Sequence, residues 1–287
     1  MAQLSDDCFA FGGDLTSVDE ALAQLLTVLV AVTEAENVSL SSALNRILAE
    51  DLRASENVPP HDNSAVDGYA VYFDDLKPNG ETSLSITGQA AAGHPLAHAQ
   101  ARGEAVRIFT GAPMPMTMSE AGPDTVLMQE DCRVSETEVI IPAGIRRGAN
   151  RRLAGEDVRA GSVVLRAGQR LRPQEIGLAA AVGRSSLPVR APLRAAIFST
   201  GDEVRDPGTP RDDGAIYDSN RFSLGALLGG LGAVVSDLGI LPDNCETISS
   251  ALTAAAKNHD VILTSGGVSA GGEDHVRGAV ENIGSLH

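Results

Sequence analysis

Carboxylates, hydroxyls and glycines gather at a few places in this chain where chemistry could follow. In "VPPHDNSAVDGYAV" (Val58–Val71), two prolines lead into His61, Asp62, Asn63 and Ser64, then Asp67-Gly68-Tyr69. Small polar groups and a carboxylate thus stand between a proline stop and a strand. Further on, "AIFST" runs into Gly201-Asp202-Glu203, and "VILTS" runs into a glycine-rich stretch, Gly266 to Asp274. A glycine loop ahead of a helix exposes backbone N–H groups, and the helix start adds positive potential, so a phosphate could dock there. Glu203 and Asp274 would lie near that phosphate. Carboxylates repel it unless a divalent cation or oxyanion chemistry intervenes. On spacing alone, the same loop reads equally as a glycine turn with solvated acids.

Other stretches carry two readings each. Arg146, Arg147, Arg151 and Arg152 form a basic cluster, either a solvated loop or a phosphate clamp of bidentate guanidinium forks. In "YDSN", Asp218 or Ser219 can cap the helix that carries Arg221, and Asp243 in "ILPDN" can cap the next helix. Thr110-Gly111-Ala112-Pro113 can be only a turn. The six histidines show no metal-ligand spacing.

The elements that must position these residues change character along the chain. Thr16 or Ser17 caps a helix to about Val32, whose nearly continuous apolar residues predict packing between elements. A second helix is expected over Ser41–Glu50, ending before Pro59-Pro60. From Asp67 to about Ile145, short apolar runs broken by Gly, Pro and Asn predict a β-rich region. "EDVRAGSVVLRAGQRL" predicts another strand pair, and Pro173 opens a helix through Val182. After Pro192, strands and helices alternate, which predicts a parallel sheet with right-handed crossovers and ligands beyond its strand ends.

Bulk properties narrow the partners. At 287 residues the chain is long for one domain, and with 43% hydrophobic residues it can bury cores. The net charge is −16, and aromatics are 3% with no Trp. Nucleic acid and anionic membrane surfaces are therefore poor partners. No apolar run reaches membrane-spanning length and no secretory leader opens the chain. Three scattered cysteines form neither a zinc pattern nor a disulfide framework, which suits the cytoplasm.

Seven motifs in order, "DNSAVDGYAV", "RIFTGAPMP", "NRRLAGEDV", "IFSTGDEV", "IYDSNR", "LGILPDN" and "TSGGVSAGGED", together resemble the molybdopterin molybdenumtransferase family (MoeA in bacteria, the gephyrin E domain in animals). The resemblance implies a multidomain, elongated chain, α/β plus β-rich. Its parts are a discontinuous linking domain (16–60 and 151–190), an inserted β-rich domain (61–150) and a MogA-like α/β domain with a parallel sheet (191–287). The N-terminal helix packs on the α/β domain. It also implies molybdate insertion into adenylylated molybdopterin with release of AMP, assisted by Mg²⁺. Carried over, Asp67, Thr110, Asp157, Glu203, Asp243 and Asp274 are catalytic. Glu203, Asp243 and Asp274 are the metal ligands. Arg152, Ser199, Thr200, Gly201, Ser265, Gly266, Gly267 and Ser269 bind the pterin nucleotide. The segment around Asp67 would wall a cleft facing the α/β domain, within a homodimer, and a MogA-type adenylyltransferase is an expected partner.

One departure stands out. The chain stops at "ENIGSLH", before the family's lysine- and glycine-rich motif, its "GLPGNP" segment and its C-terminal β-domain. The expectation is a shortened α/β domain, no phosphate-binding lysines and impaired insertion activity. Two alternatives remain: a non-catalytic molybdopterin-binding or scaffolding relative, and the nicotinamide-nucleotide amidase and competence-damage family. The latter opens on the α/β unit, whereas here that unit follows the β-rich segment.

Overall fold

The computed structural model of the chain describes residues 16–116, 122–266 and 275–285. The chain divides into two compact units. One is continuous, Ala35–Arg190, and the other combines the segment before Ala35 with residues from Ala191 onward. Among the described residues, no helix is long and apolar enough to cross a membrane.

Helix α1 (Val18–Val28) comes first. Ser17 caps it, its hydroxyl accepting from the Glu20 N–H while the Glu20 carboxylate accepts from the Ser17 N–H. The sequence predicts a helix packed between elements, but α1 buries no residue, and Val18, Leu22, Leu25 and Leu26 are all exposed. Its order rests on the local cap.

The continuous unit carries β1 (Ala35–Ser39), β2 (Leu52–Arg53), β3 (Asn63–Ser64), β4 (Gly68–Val71), β5 (Thr82–Ala90), β6 (Glu104–Ile108), β7 (Thr125–Met128), β8 (Arg133–Val134), β9 (Glu138–Ile141), β10 (Arg151–Arg152), β11 (Val163–Leu165), α2 (Pro173–Ala181) and β12 (Ser186–Arg190). A six-stranded sheet runs β7-β4-β6-β5-β9-β8, antiparallel except between β5 and β6. Its strands alternate sides with period two. Tyr69, Val71 and Leu127 pack into one apolar cluster, while Ala70 and Val126 pack into another. Both faces are thus covered, which explains why "GYAV" is wholly buried. Gly68 is required there: a Cβ would stand 1.7 Å from the Leu127 carbonyl oxygen.

A separate core forms where β1 pairs with β12 and β2 with β11, both antiparallel. Leu48, Leu52, Leu171, Val182, Leu187 and Val189 fill it. The expected helix over Ser41–Glu50 is absent; only Leu40–Ser42 make a single 3-10 turn. The Asn45 and Leu48 N–H groups instead donate to the carbonyls of Leu171 and Gln169, and Asn45 takes φ 64°. Long-range backbone pairing overrides the local helical spacing. In the expected strand pair around Val163, only β11 forms, and its partner is the distant β2. Pro173 is the first residue of α2, as its fixed φ favours.

In the second unit, β13 (Arg194–Thr200), β14 (Val204–Arg205), β15 (Ile216–Tyr217), α3 (Asn220–Gly230), β16 (Val234–Leu241), α4 (Cys245–Ala255), β17 (Val261–Ser265) and α5 (His275–Ile283) follow in order. The sheet runs β16-β13-β17, all parallel. Alternate residues of β13 face opposite sides: Ala195 and Ile197 meet Leu228 of α3, and Phe198 meets Ile248, Leu252 and Val276 of α4 and α5. Helices therefore cover both faces, as right-handed crossovers to opposite sides demand. Burying Phe198 contributes roughly 1.5–3 kcal/mol.

Candidate functional site: a cleft where the parallel sheet changes direction

The chain leaves β13 for β16 on one side, then crosses back to β17 on the other. The connections diverge beyond the carboxyl ends of β13 and β17, where open parallel sheets bind ligands. A cleft of about 200 Å³ opens at this point, lined by Ser199, Thr200, Glu203, Asp218, Asn220 and Ser265, with Gly266 at its edge.

Glycine makes the approach of the two strand ends possible. Gly266 has φ 101°, and a Cβ there would stand 2.6 Å from the Thr200 carbonyl oxygen. Gly201, at φ 139°, lets the Glu203 carboxylate fold back: a Cβ would lie 2.7 Å from its Oε2. The Thr200 hydroxyl donates to Asp243 Oδ1 at 3.1 Å, which ties the end of β13 to the end of β16. Asn220 Nδ2 donates to Ser265 Oγ at 2.9 Å, joining the start of α3 to the end of β17. The cap of α4 is Asn244, which accepts from the Thr247 N–H at 2.8 Å, so Asp243 is left facing Thr200.

Asp218 does more than the cap that sequence reasoning allowed it. It does cap α3, with Oδ1 accepting from the Arg221 N–H at 3.1 Å, while Ser219 makes no side-chain cap bond. Yet Asp218 is buried in the cleft lining, and Oδ2 accepts from Arg221 Nε at 2.8 Å. Burial pushes its pKa up, but the Arg221 donors outweigh it and leave the carboxyl below its ordinary value. The enclosed Ser199 hydroxyl favours the same charged form without closing a hydrogen bond of ordinary geometry. The signal available beforehand was an acid and a base three residues apart at a helix start.

Two of the three expected metal ligands, Glu203 and Asp243, fall at this end of the sheet. Asp274 lies outside the described residues, as do Gly267 and Ser269. Among the described residues no three His, Cys, Asp or Glu side chains gather closely enough to hold a metal ion. The described donors do not by themselves complete a magnesium site.

The continuous unit brings together the remaining expected residues in pairs. Asp67 Oδ1 accepts from both the N–H and the hydroxyl of Thr110, each at 2.8 Å. The Thr110 N–H, then its hydroxyl, and more weakly the charge of Arg107, hold the Asp67 carboxyl below its usual range. Arg107 lies over Tyr69 and Phe109 and donates to Gln129. Arg152 donates to Asp157 at 2.6 Å and also faces Glu156. Both pairs flank β3: Ser64 N donates to Ala112 on one side, and β3 pairs with β10 on the other. Strand β3 thus sets "DNS" between the Thr110 loop and the arginine strand. Three of the four arginines of the basic cluster are already held by acids. Arg147 is paired with Asp74 and Asp124, Arg151 with Asp62, and Arg152 with Asp157.

A doubly wound α/β unit with a polar cleft at its reversal point, carried with a β-rich unit in one chain, defines a class of ligand-binding protein. Residues 16–183 match the family description "MoeA N-terminal region (domain I and II)", and residues 196–287 match "Probable molybdopterin binding domain". The chain belongs to the MoeA family. It is 39% identical, over 95% of its length, to a molybdopterin molybdenumtransferase of Haemophilus influenzae, and 37% identical, over 88%, to one of Nostoc sp.. It spans 66% and 57% of those relatives' lengths respectively. The crystal structure of the molybdopterin biosynthesis MoeA protein from Pyrococcus horikosii superposes with a TM-score of 0.78 at 28% identity. That match covers 94% of this chain and 67% of the other.

Proposed function

We propose that this chain acts in molybdenum cofactor biosynthesis, binding adenylylated molybdopterin and molybdate and inserting the metal with release of AMP. The observation that carries this reading is the cleft beyond β13 and β17. It is rich in hydroxyls, it contains Glu203 and Asp218, and it lies in the segment matching the molybdopterin-binding description. Ser199, Thr200, Gly201, Ser265 and Gly266, with Gly267 and Ser269, would bind phosphate and pterin-side groups. Arg152 would add a cation, its charge held by Asp157 until an anionic substrate competes. Asp67, Thr110, Asp157, Glu203, Asp243 and Asp274 are assigned to the reaction, in which an oxygen of molybdate or water forms a new P–O bond as the phosphoanhydride P–O bond breaks and AMP departs with its phosphate. The Asp67–Thr110 bond keeps that carboxylate charged and oriented. Glu203 and Asp243, together with Asp274, would be the residues to hold Mg²⁺, which would supply neutralisation of the phosphate charge.

The reading extends to a three-part organisation (linking segments 16–60 and 151–190, β-rich 61–150, MogA-like α/β 191–287), a homodimer, a MogA-type adenylyltransferase partner and a cytoplasmic setting. Titration calorimetry of adenylylated molybdopterin into the chain, with the Haemophilus influenzae relative as positive control, tests the core of it. Saturable binding that Glu203→Gln weakens is the expected result, with molybdate-dependent AMP release in the same samples well below that of the control. Absence of binding while the control binds overturns the proposal.

A further inference from the structure

Arg221 is 4% exposed and is not among the residues that line the cleft. Its guanidinium faces three carboxylates from three different places. Nε donates to Asp218 just before α3, Nη1 to Asp237 on β16, and Nη2 to Asp206 just after β14. The face of the guanidinium lies 4.9 Å from the Phe222 ring centroid. Each anchor leads to part of the cleft. Asp206 follows the Glu203-bearing turn, and Asp218 is itself in the wall. Asp237 sits at the irregularity in β16, its Oδ1 accepting from the Gly239 N–H at 2.8 Å, four residues before Leu241 and the turn that carries Asp243.

We infer that Arg221 is a positioning residue for the cleft: one buried guanidinium holds the segments bearing Glu203, Asp218 and Asp243 in register behind the ligand-binding surface. This rests on the cleft being the ligand site. Three acids facing one another repel unless a cation sits among them, and only a planar fork with five donors can reach all three at once. A lysine at this position supplies charge but a single point of contact. The chain therefore spends its most buried arginine behind the cleft rather than in it, leaving the wall polar and the anionic Asp218 fixed in one orientation.

The test uses Arg221→Gln and Arg221→Lys in the whole chain, read first by amide hydrogen exchange. The donors Ile216 N–H, Asp218 N–H and Gly239 N–H, bonded to Glu203 O, Arg205 O and Asp237 Oδ1, should exchange faster in Arg221→Gln while the amides of β13 and β17 stay protected. Lowering the pH should restore part of that protection as the unscreened Asp218 and Asp237 take up protons, whereas the parent chain changes little over the same range. Affinity for adenylylated molybdopterin should fall on the order of tenfold, with Arg221→Lys intermediate. Unchanged local exchange, or faster exchange with unchanged affinity, overturns the inference. If Arg221→Gln does not fold, Asp237→Asn, which leaves the guanidinium and Asp218 in place, must speed exchange at Gly239 and weaken the ligand, and its failure to do so overturns the inference equally. A parent chain that binds no ligand sinks the functional reading of the cleft, while the exchange arm still decides whether Arg221 organises these segments.

Discussion

The Asp67 carboxylate owes its state to Thr110, forty-three positions along the chain. Two donors on one oxygen favour the charged form, which is why its pKa lies below the ordinary value. The linkage has a definite sign. A depressed pKa contributes stability above the ordinary carboxylate value, and that contribution disappears as pH falls through the depressed one. Thr110→Val keeps the shape and the backbone N–H, the larger cause, but removes the hydroxyl. Carboxyl carbon NMR of Asp67 should then show its titration moving up toward 3.8 without reaching it. An unmoved titration would mean the hydroxyl bond does not exist in solution. This pairing was legible as two motifs but not as one contact, because nothing in local spacing reports a partner in another strand's loop. The same blindness reduced Asp218 to a helix cap: the i, i+3 partner Arg221 is visible in the sequence, its burial and its two further acids are not.

At the scale of elements, the β13, β16 and β17 strands and the helices between them follow from the alternation of apolar runs, and their boundaries fall within a few residues of expectation. What failed was Ser41–Glu50, where the helical spacing of Leu44, Ile47 and Leu48 competes with bridges to Arg170 and Val189 and loses. Propensity is worth tenths of a kcal/mol per residue, whereas joining an existing core settles the backbone. The glycine turns after β13 and β17 give a sharper contrast. Gly266→Ala drives a Cβ into the Thr200 backbone, which cannot swing aside, and forces alanine to φ 101°. The cost should be at least about 1–3 kcal/mol from the backbone strain alone. Gly201→Ala is also strained, at φ 139°, but its Cβ meets side-chain atoms of Glu203 and Val204 rather than backbone, so it should cost less stability and displace the carboxylate. Urea unfolding of both variants checks the order. Equal losses would mean the two strand ends approach less closely than described.

For the whole molecule, the decisive geometry is where the continuous unit begins and ends. Ala35 pairs with Arg190 across β1 and β12, so the unit's two ends are neighbours in one ladder. The apolar clusters of this unit draw only on residues between Val38 and Val189. A segment with its own cores and adjacent ends meets the physical requirements of an independently folding domain. Residues 35–190 made alone should therefore give a dispersed amide spectrum and one cooperative thermal transition, with the Thr110 amide still shifted by its bond to Asp67. The β1–β12 ladder supplies the check within that experiment. Val189→Pro removes the N–H of a fully buried position in the pairing and its fixed φ disfavours a ladder, so the isolated segment should lose several degrees of thermal stability or more. A collapsed spectrum for the unaltered segment would show that its stability is borrowed from the rest of the chain.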